Sequence, residues 1–68
     1  MDLINYRIVD KIIRMYEEKG FSKEQTKEIR RGIEDNIDIS KYDDINRSAD
    51  EMFDMRWKLV HQKRSENI

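Results

Sequence analysis

One nine-residue motif occurs twice in this 68-residue chain, and it constrains the fold more than any other feature. The first copy covers residues 25–33, and the second copy, residues 51–59, begins 26 residues after it. At this offset acids, apolar residues and arginines coincide; the matching pairs are Glu28 and Asp54, Ile29 and Met55, Arg30 and Arg56, and Ile33 and Leu59. The repetition indicates two similar helices rather than a chemical site.

The composition favours an all-helical domain. Proline is absent and there are only two glycines, so few residues oppose helix formation. Cysteine is also absent, which excludes disulfides and thiolate metal sites and suits a cytoplasmic protein. No apolar run reaches the length of a membrane span, and the chain does not begin with a signal-peptide pattern. We therefore expect a single cytoplasmic domain over residues 1–68.

Apolar periodicity predicts three helices, at about residues 3–19, 23–35 and 49–62. An ordered connector over residues 36–47 joins the last two, and residues 63–68 are expected to fray. The predicted fold is a small three-helix bundle. Its apolar positions are Val9, Ile12, Ile13 and Tyr16 in the first helix, Thr26, Ile29 and Ile33 in the second, and Met52, Phe53, Met55, Leu59 and Val60 in the third.

Capping signals set the predicted helix boundaries. Gly20 suits the left-handed position after the first helix, and Asn36 suits the same position after the second. The segments 22–25 and 48–51 both have the capping-box pattern of a serine followed three residues later by glutamine or glutamate. Within the second helix, Gly32 indicates close approach of another backbone.

Two local hypotheses concern the connector. Ser40 with Asp43 could cap a single helical turn. Asp44, Asn46 and Ser48 begin like a calcium-binding loop. The calcium hypothesis fails, because Ala49 stands where the loop requires glycine and Met55 where it requires the bidentate glutamate. No metal or cofactor is expected.

Catalysis finds little support in the sequence. The single histidine, His61, lies near the end of the chain, and no nucleophile, base and orienting residue form a recognisable set. Chains of this length seldom build the cleft that paired catalytic carboxylates need. We expect a protein that is not an enzyme.

The acidic residues between positions 34 and 54 have two interpretations. This stretch holds eight acids and two basic residues. The candidate partner-binding acids are Glu34, Asp35, Asp38, Asp43, Asp44, Asp50 and Asp54. They could form a surface that meets a basic groove, as in an anti-CRISPR or anti-restriction inhibitor of a nucleic-acid-processing enzyme. Alternatively, they supply helix-end and turn chemistry.

Direct nucleic-acid binding is a further alternative. The first two helices and the short turn between them have helix-turn-helix proportions. However, acids accompany the basic residues of the second helix, and the net charge is −1. A phosphate-binding surface normally has a one-sided basic excess, so nucleic acid is not the expected direct ligand.

Two aromatic residues are candidate partner contacts. Trp57 lies off the main apolar stripe of the third helix, and Tyr42 lies in the connector. Together with the thin apolar stripe of the second helix, they favour a non-catalytic protein that acts by binding another protein. A homodimer is one form of this hypothesis.

Eight residues match a known repeat in order: Gln25, Ile29, Arg30, Gly32, Ile33, Asp38, Ser40 and Tyr42. In this respect residues 25–42 resemble a short helical repeat of Firmicutes phage and mobile-element proteins. Counted with the second copy, to residue 59, the likeness covers about half of the chain, and it weakens in that copy, where Lys58 replaces the glycine and the Asp-x-Ser-x-Tyr tail is missing. The resemblance implies a helical packing unit from a phage or mobile element that acts by binding, with no catalytic residues.

Overall fold

A computed structural model describes residues 5–66 of the chain. It contains three α-helices, α1 (Tyr6–Glu18), α2 (Lys23–Glu34) and α3 (Ala49–Glu66), and one short 3-10 turn (Ile39–Lys41). No strand occurs over this range, so the predicted all-α three-helix fold is confirmed. The predicted start of the first helix at residue 3 lies outside the described residues.

The third helix is longer than predicted. It continues to Glu66 rather than ending near residue 62. The Lys63 amino group donates to the Asn36 carbonyl over 2.7 Å, which attaches the last turns of α3 to the end of α2. The predicted end was therefore too early, since Lys63 still contacts the rest of the fold. The prediction that the chain frays at residues 67–68 lies outside the described residues.

The capping signals act as predicted. The Ser22 hydroxyl accepts from the Gln25 amide and the Gln25 side chain accepts from the Ser22 amide, and Ser48 and Glu51 repeat this arrangement at α3. Gly20 has a φ of 103°, and the Phe21 amide donates back to the Tyr16 carbonyl. These contacts end α1 and start α2 and α3.

The end of α2 repeats the end of α1. Asn36 has a φ of 57°, and the Ile37 amide donates to the Gly32 carbonyl over 3.0 Å. Both helices therefore end in the same hydrogen-bonded motif with a left-handed residue, as the sequence predicted.

The central element is α2, which packs against α1, α3 and the 3-10 turn. Arg30 of α2 bonds Asp10 of α1 over 2.6 Å, which joins the two antiparallel helices of the first hairpin. The connector then returns along α2, so that α3 starts beside the beginning of α2 and runs parallel to it. The core lies where these elements meet; its buried hydrophobic residues are Val9, Ile13, Phe21, Ile29, Tyr42 and Met52.

Gly32 leaves room for the connector. A Cβ atom on Gly32 would overlap the Tyr42 hydroxyl and lie 2.7 Å from Ile39 Cγ2. The Tyr42 hydroxyl donates to the Glu28 carbonyl over 2.7 Å. The close approach predicted at Gly32 is therefore real, but it is made by side chains of the connector and not by another backbone.

The connector is ordered by side-chain contacts. Asp38, not Ser40 with Asp43, caps the single turn, because its carboxylate accepts from the Ser40 amide over 3.1 Å. Further along, the Gln25 amide group donates to the carbonyls of Ile45 and Arg47 over 2.9 and 2.7 Å. Within residues 5–66, no helix combines the length and the apolar character that a membrane span requires.

Candidate functional site

Two large aromatic side chains of α3 face solvent. Phe53 is 45% exposed and Trp57 is 52% exposed. Because they are four residues apart, they lie on the same side of the helix. The opposite side of α3 is the one that packs, through the fully buried Met52. The structure therefore leaves aromatic surface on α3 that no described part of the chain covers.

His61 extends this surface by one more turn. Its ring centroid lies 3.9 Å from that of Trp57, with 41° between the ring planes. At the Phe53 end of this surface, the Arg56 guanidinium lies 5.4 Å from the centroid of the Phe53 ring. We call Phe53, Trp57 and His61 the aromatic face.

Arg56 also attaches α3 to α2 beneath this face. Its guanidinium bonds Glu28 over 3.1 Å and Asp35 over 2.8 Å, and its side chain is only 12% exposed. Burial alone would lower the pKa of Arg56, but the hydrogen bonds that it donates to the Glu28 and Asp35 carboxylates, with their negative charges, outweigh burial and raise the pKa above its ordinary value. The aromatic face therefore sits on a helix that is held in place.

Charges flank the aromatic face unevenly. Asp50 precedes it, Asp54 lies between Phe53 and Trp57 in the chain, and Arg64 follows it near the end of α3. Asp54 has a long contact of 3.6 Å with Lys58, whereas Asp50 and Arg64 form no ion pair with any residue that the structure describes. Beside Phe53, an open groove of about 400 Å³ lies between α2 and the start of α3; it is lined by Glu24, Lys27, Glu28, Ala49, Asp50 and Phe53.

Five of the seven predicted partner-binding acids have partners within the chain. Two contact other helices: Asp35 pairs with Arg56, and Asp43 accepts a 2.6 Å bond from the Tyr16 hydroxyl. Burial and this bond raise the pKa of Tyr16 to about 12. Asp54 pairs along α3 with Lys58.

The remaining predicted acids lie in turns or on open helix surface. Asp38 caps the 3-10 turn, and hydrogen bonds from Ser40 lower its pKa. Asp44 accepts from the Asn46 amide over 2.9 Å. Glu34 and Asp50 are exposed, with no ion pair to the residues described. Turn chemistry thus accounts for Asp38 and Asp44, whereas Asp35, Asp43 and Asp54 bond side chains of the helices.

The two aromatic candidates separate. Trp57 is exposed, in agreement with its place off the apolar stripe, whereas Tyr42 is completely buried. The prediction of Tyr42 as a partner contact is therefore wrong, because its ring fills the space above Gly32 and its hydroxyl bonds α2. Gly32 was the available signal, since a helix position without a side chain leaves room for a large side chain from another element.

Sequence reasoning missed Phe53 as a surface residue. It was assigned to the apolar stripe of the third helix, but this stripe is wider than the contact that α2 offers. Exposed apolar residues also occur on α1, at Tyr6, Ile8 and Met15. No three potential metal ligands come together among residues 5–66.

No protein-family model matches the chain, and neither a curated protein nor a solved structure matches it. The resemblance to the phage and mobile-element repeat therefore stays a prediction from the motif.

Proposed function

We propose that this chain is a non-catalytic protein that acts by binding another protein through the aromatic face of α3. The observation that carries the proposal is the exposure of both Phe53 and Trp57 in a domain where six hydrophobic side chains of the described residues are buried. Burying one large apolar side chain contributes about 1.5–3 kcal/mol, so leaving two of them exposed forgoes a large share of a small domain's stability. A partner that covers them recovers that free energy.

The construction of the face supports binding. Aromatic residues and arginine dominate the energetic centres of protein interfaces. Here Phe53 and Trp57 project from a regular helix, and Arg56 is fixed by two ion pairs beneath them. A rigid face loses little conformational entropy on association, which favours affinity.

The environment of the histidine supports a non-catalytic role. The His61 ring packs against Trp57 and contributes to the apolar surface. A general base needs a hydrogen-bonded nucleophile or substrate and an orienting partner, and stacking on an indole supplies neither. The acidic-surface inhibitor is less well supported, because five of its seven residues already have partners within the chain.

The test compares two matched surface aromatics in a tagged pull-down from lysate. Trp57→Glu changes the aromatic face, and Tyr6→Glu makes the same change at the 57% exposed Tyr6 on α1. We expect protein partners to be retained by wild type and Tyr6→Glu and lost by Trp57→Glu. Retention should survive high salt, since apolar contacts are not screened.

Two results would contradict the proposal. If Trp57→Glu and wild type recover partners equally, the aromatic face does not take part in the interaction. A nucleic-acid-processing enzyme that is held at low salt, released at high salt and lost on Glu34→Lys with Asp50→Lys would instead support the acidic-surface inhibitor.

A further inference from the structure

We infer that the aromatic face of α3 binds a second copy of this chain, with the two α3 helices antiparallel and the two Trp57 side chains meeting at the two-fold axis. The inference rests on the proposed function and names the partner. Three features of α3 carry it: the spacing of the residues along the face, the symmetry of the charges about Trp57, and the place of α3 at the edge of the fold.

Four exposed residues of α3 and the half-buried Val60 follow a heptad spacing. Asp50, Trp57 and Arg64 follow one another at intervals of seven residues, and Phe53 and Val60 fall between them. Residues spaced in this way form one stripe along a helix and are typical of helices that pair side by side. Met52 and Arg56, which contact α2, lie outside the stripe, and Phe53 borders the groove between α2 and α3, so a second helix can meet the exposed side of Trp57 without displacing α2.

The charges on the stripe are complementary to those of a second copy that runs in the opposite direction. Asp50 lies seven residues before Trp57 and Arg64 lies seven residues after it. An antiparallel pair centred on Trp57 places Asp50 opposite the partner's Arg64 at both ends. A parallel pair would instead place acid against acid and arginine against arginine. Neither Asp50 nor Arg64 has an ion pair with the residues described, so both are available.

The centre of such a pair is apolar. Trp57 would pack on the partner's Trp57, and Phe53 would lie against the partner's His61. Because Asp50, Phe53, Trp57 and Arg64 are exposed, the outer side of α3 offers a contact from Asp50 to Arg64, about 21 Å long at the rise of an α-helix. A contact of one helix pair is small for a protein interface, so we expect a weak dimer in the micromolar range.

Analytical ultracentrifugation over a concentration series tests the inference through charge reversal. We expect Asp50→Arg and Arg64→Asp each to weaken dimerisation about tenfold at low ionic strength, since each places like charges together at both ends of the pair. The double variant Asp50→Arg with Arg64→Asp restores the pairing and should return to within about threefold of wild type. Trp57→Glu should abolish the dimer while retaining the helical circular dichroism signal.

Specific results would overturn the inference. A wild-type chain that stays monomeric up to millimolar concentration excludes the dimer. A dimer that Trp57→Glu abolishes but neither charge reversal weakens excludes the antiparallel arrangement. The inference and the proposed function fail separately. If wild type is monomeric but Trp57→Glu still loses its protein partner in the pull-down, the aromatic face binds a different protein.

Discussion

Helices α2 and α3 begin with the same capping box and carry the same motif, yet they occupy different places in the fold. α2 lies between α1 and α3, with the connector packed along it, whereas α3 packs chiefly on α2 and contacts the connector through Lys63. At the offset of 26 residues, Phe53 and Trp57 of α3 coincide with Lys27 and Arg31 of α2. The central helix thus has basic side chains where the outer helix has aromatic ones.

Matching positions of the motif also differ in burial between α2 and α3. Ile29 is completely buried in α2, but its counterpart Met55 is only partly buried in α3. Arg30 bonds one acid of α1 at the surface, whereas Arg56 bonds two acids of α2 and is mostly covered. A shared motif therefore specifies where a helix starts and which side packs, and the neighbours decide how much of that side is buried.

The largest expected difference between the helices is at Gly32 and its counterpart Lys58. Gly32→Leu should destabilise the fold by about 4 kcal/mol, because the side chain would displace Tyr42 and break its bond to Glu28. Lys58→Leu places the same residue at an exposed site and should change stability by less than about 0.5 kcal/mol. Urea unfolding measures both, and a Gly32→Leu variant as stable as wild type would show that Tyr42 does not pack there.

Truncating the paired apolar residues should show the difference in burial. Ile29→Ala should cost about 3 kcal/mol, since it opens a cavity in the centre of the core, and Met55→Ala about 1 kcal/mol. Thermal and urea unfolding give both values. Equal losses at the two sites would mean that α3 is packed as tightly as α2.

The paired arginines should differ less. Arg56→Ala should cost about 2 kcal/mol, because it leaves the nearly buried Glu28 carboxylate without its partner. Arg30→Ala removes an exposed pair with Asp10 and should cost about 0.5 kcal/mol. If a double-mutant cycle of Arg56 with Glu28 shows no coupling, the ion pair does not attach α3 to α2.

Alkaline pH tests the contact between α1 and the connector. The folded pKa of Tyr16 is raised to about 12, so the folded state holds this proton more tightly than the unfolded chain. Its contribution is complete below pH 10 and is lost as the pH rises from about 10 to about 12. Tyr16→Phe should flatten this part of the stability profile measured by urea unfolding. An unchanged slope would show that Tyr16 does not contribute through its bond to Asp43.

The smallest expected change in stability comes from giving α3 the surface of α2. Phe53→Lys with Trp57→Arg replaces both aromatics with the residues at the matching positions of α2. Because both side chains are exposed, the free energy of unfolding should change by less than about 0.5 kcal/mol. Partner binding should be lost in the same variant. A loss of more than about 2 kcal/mol would instead place these aromatics in the core.

The sequence predicted one of the two exposed aromatic residues of the candidate site. The exposure of Trp57 follows from its place off the apolar stripe, but that of Phe53 does not, because periodicity cannot say how wide a contact the neighbouring helix offers. Likewise, the sequence next to Tyr42 does not indicate whether this residue is buried or exposed. The sequence predicts that the acids of residues 34–54 form one charged surface. In the structure, Asp35, Asp38 and Asp43 bond separate elements.

The sequence by itself determined the three helices, their capping boxes and the left-handed ends at Gly20 and Asn36, because these depend on contacts within a few residues. Tertiary structure decided the rest. It placed α2 at the centre and α3 at the edge, buried Tyr42 over Gly32 and left Phe53 beside Trp57 in solvent. The burial of a side chain depends on residues that are distant in the chain, and the local sequence pattern does not specify which of these residues will pack against it.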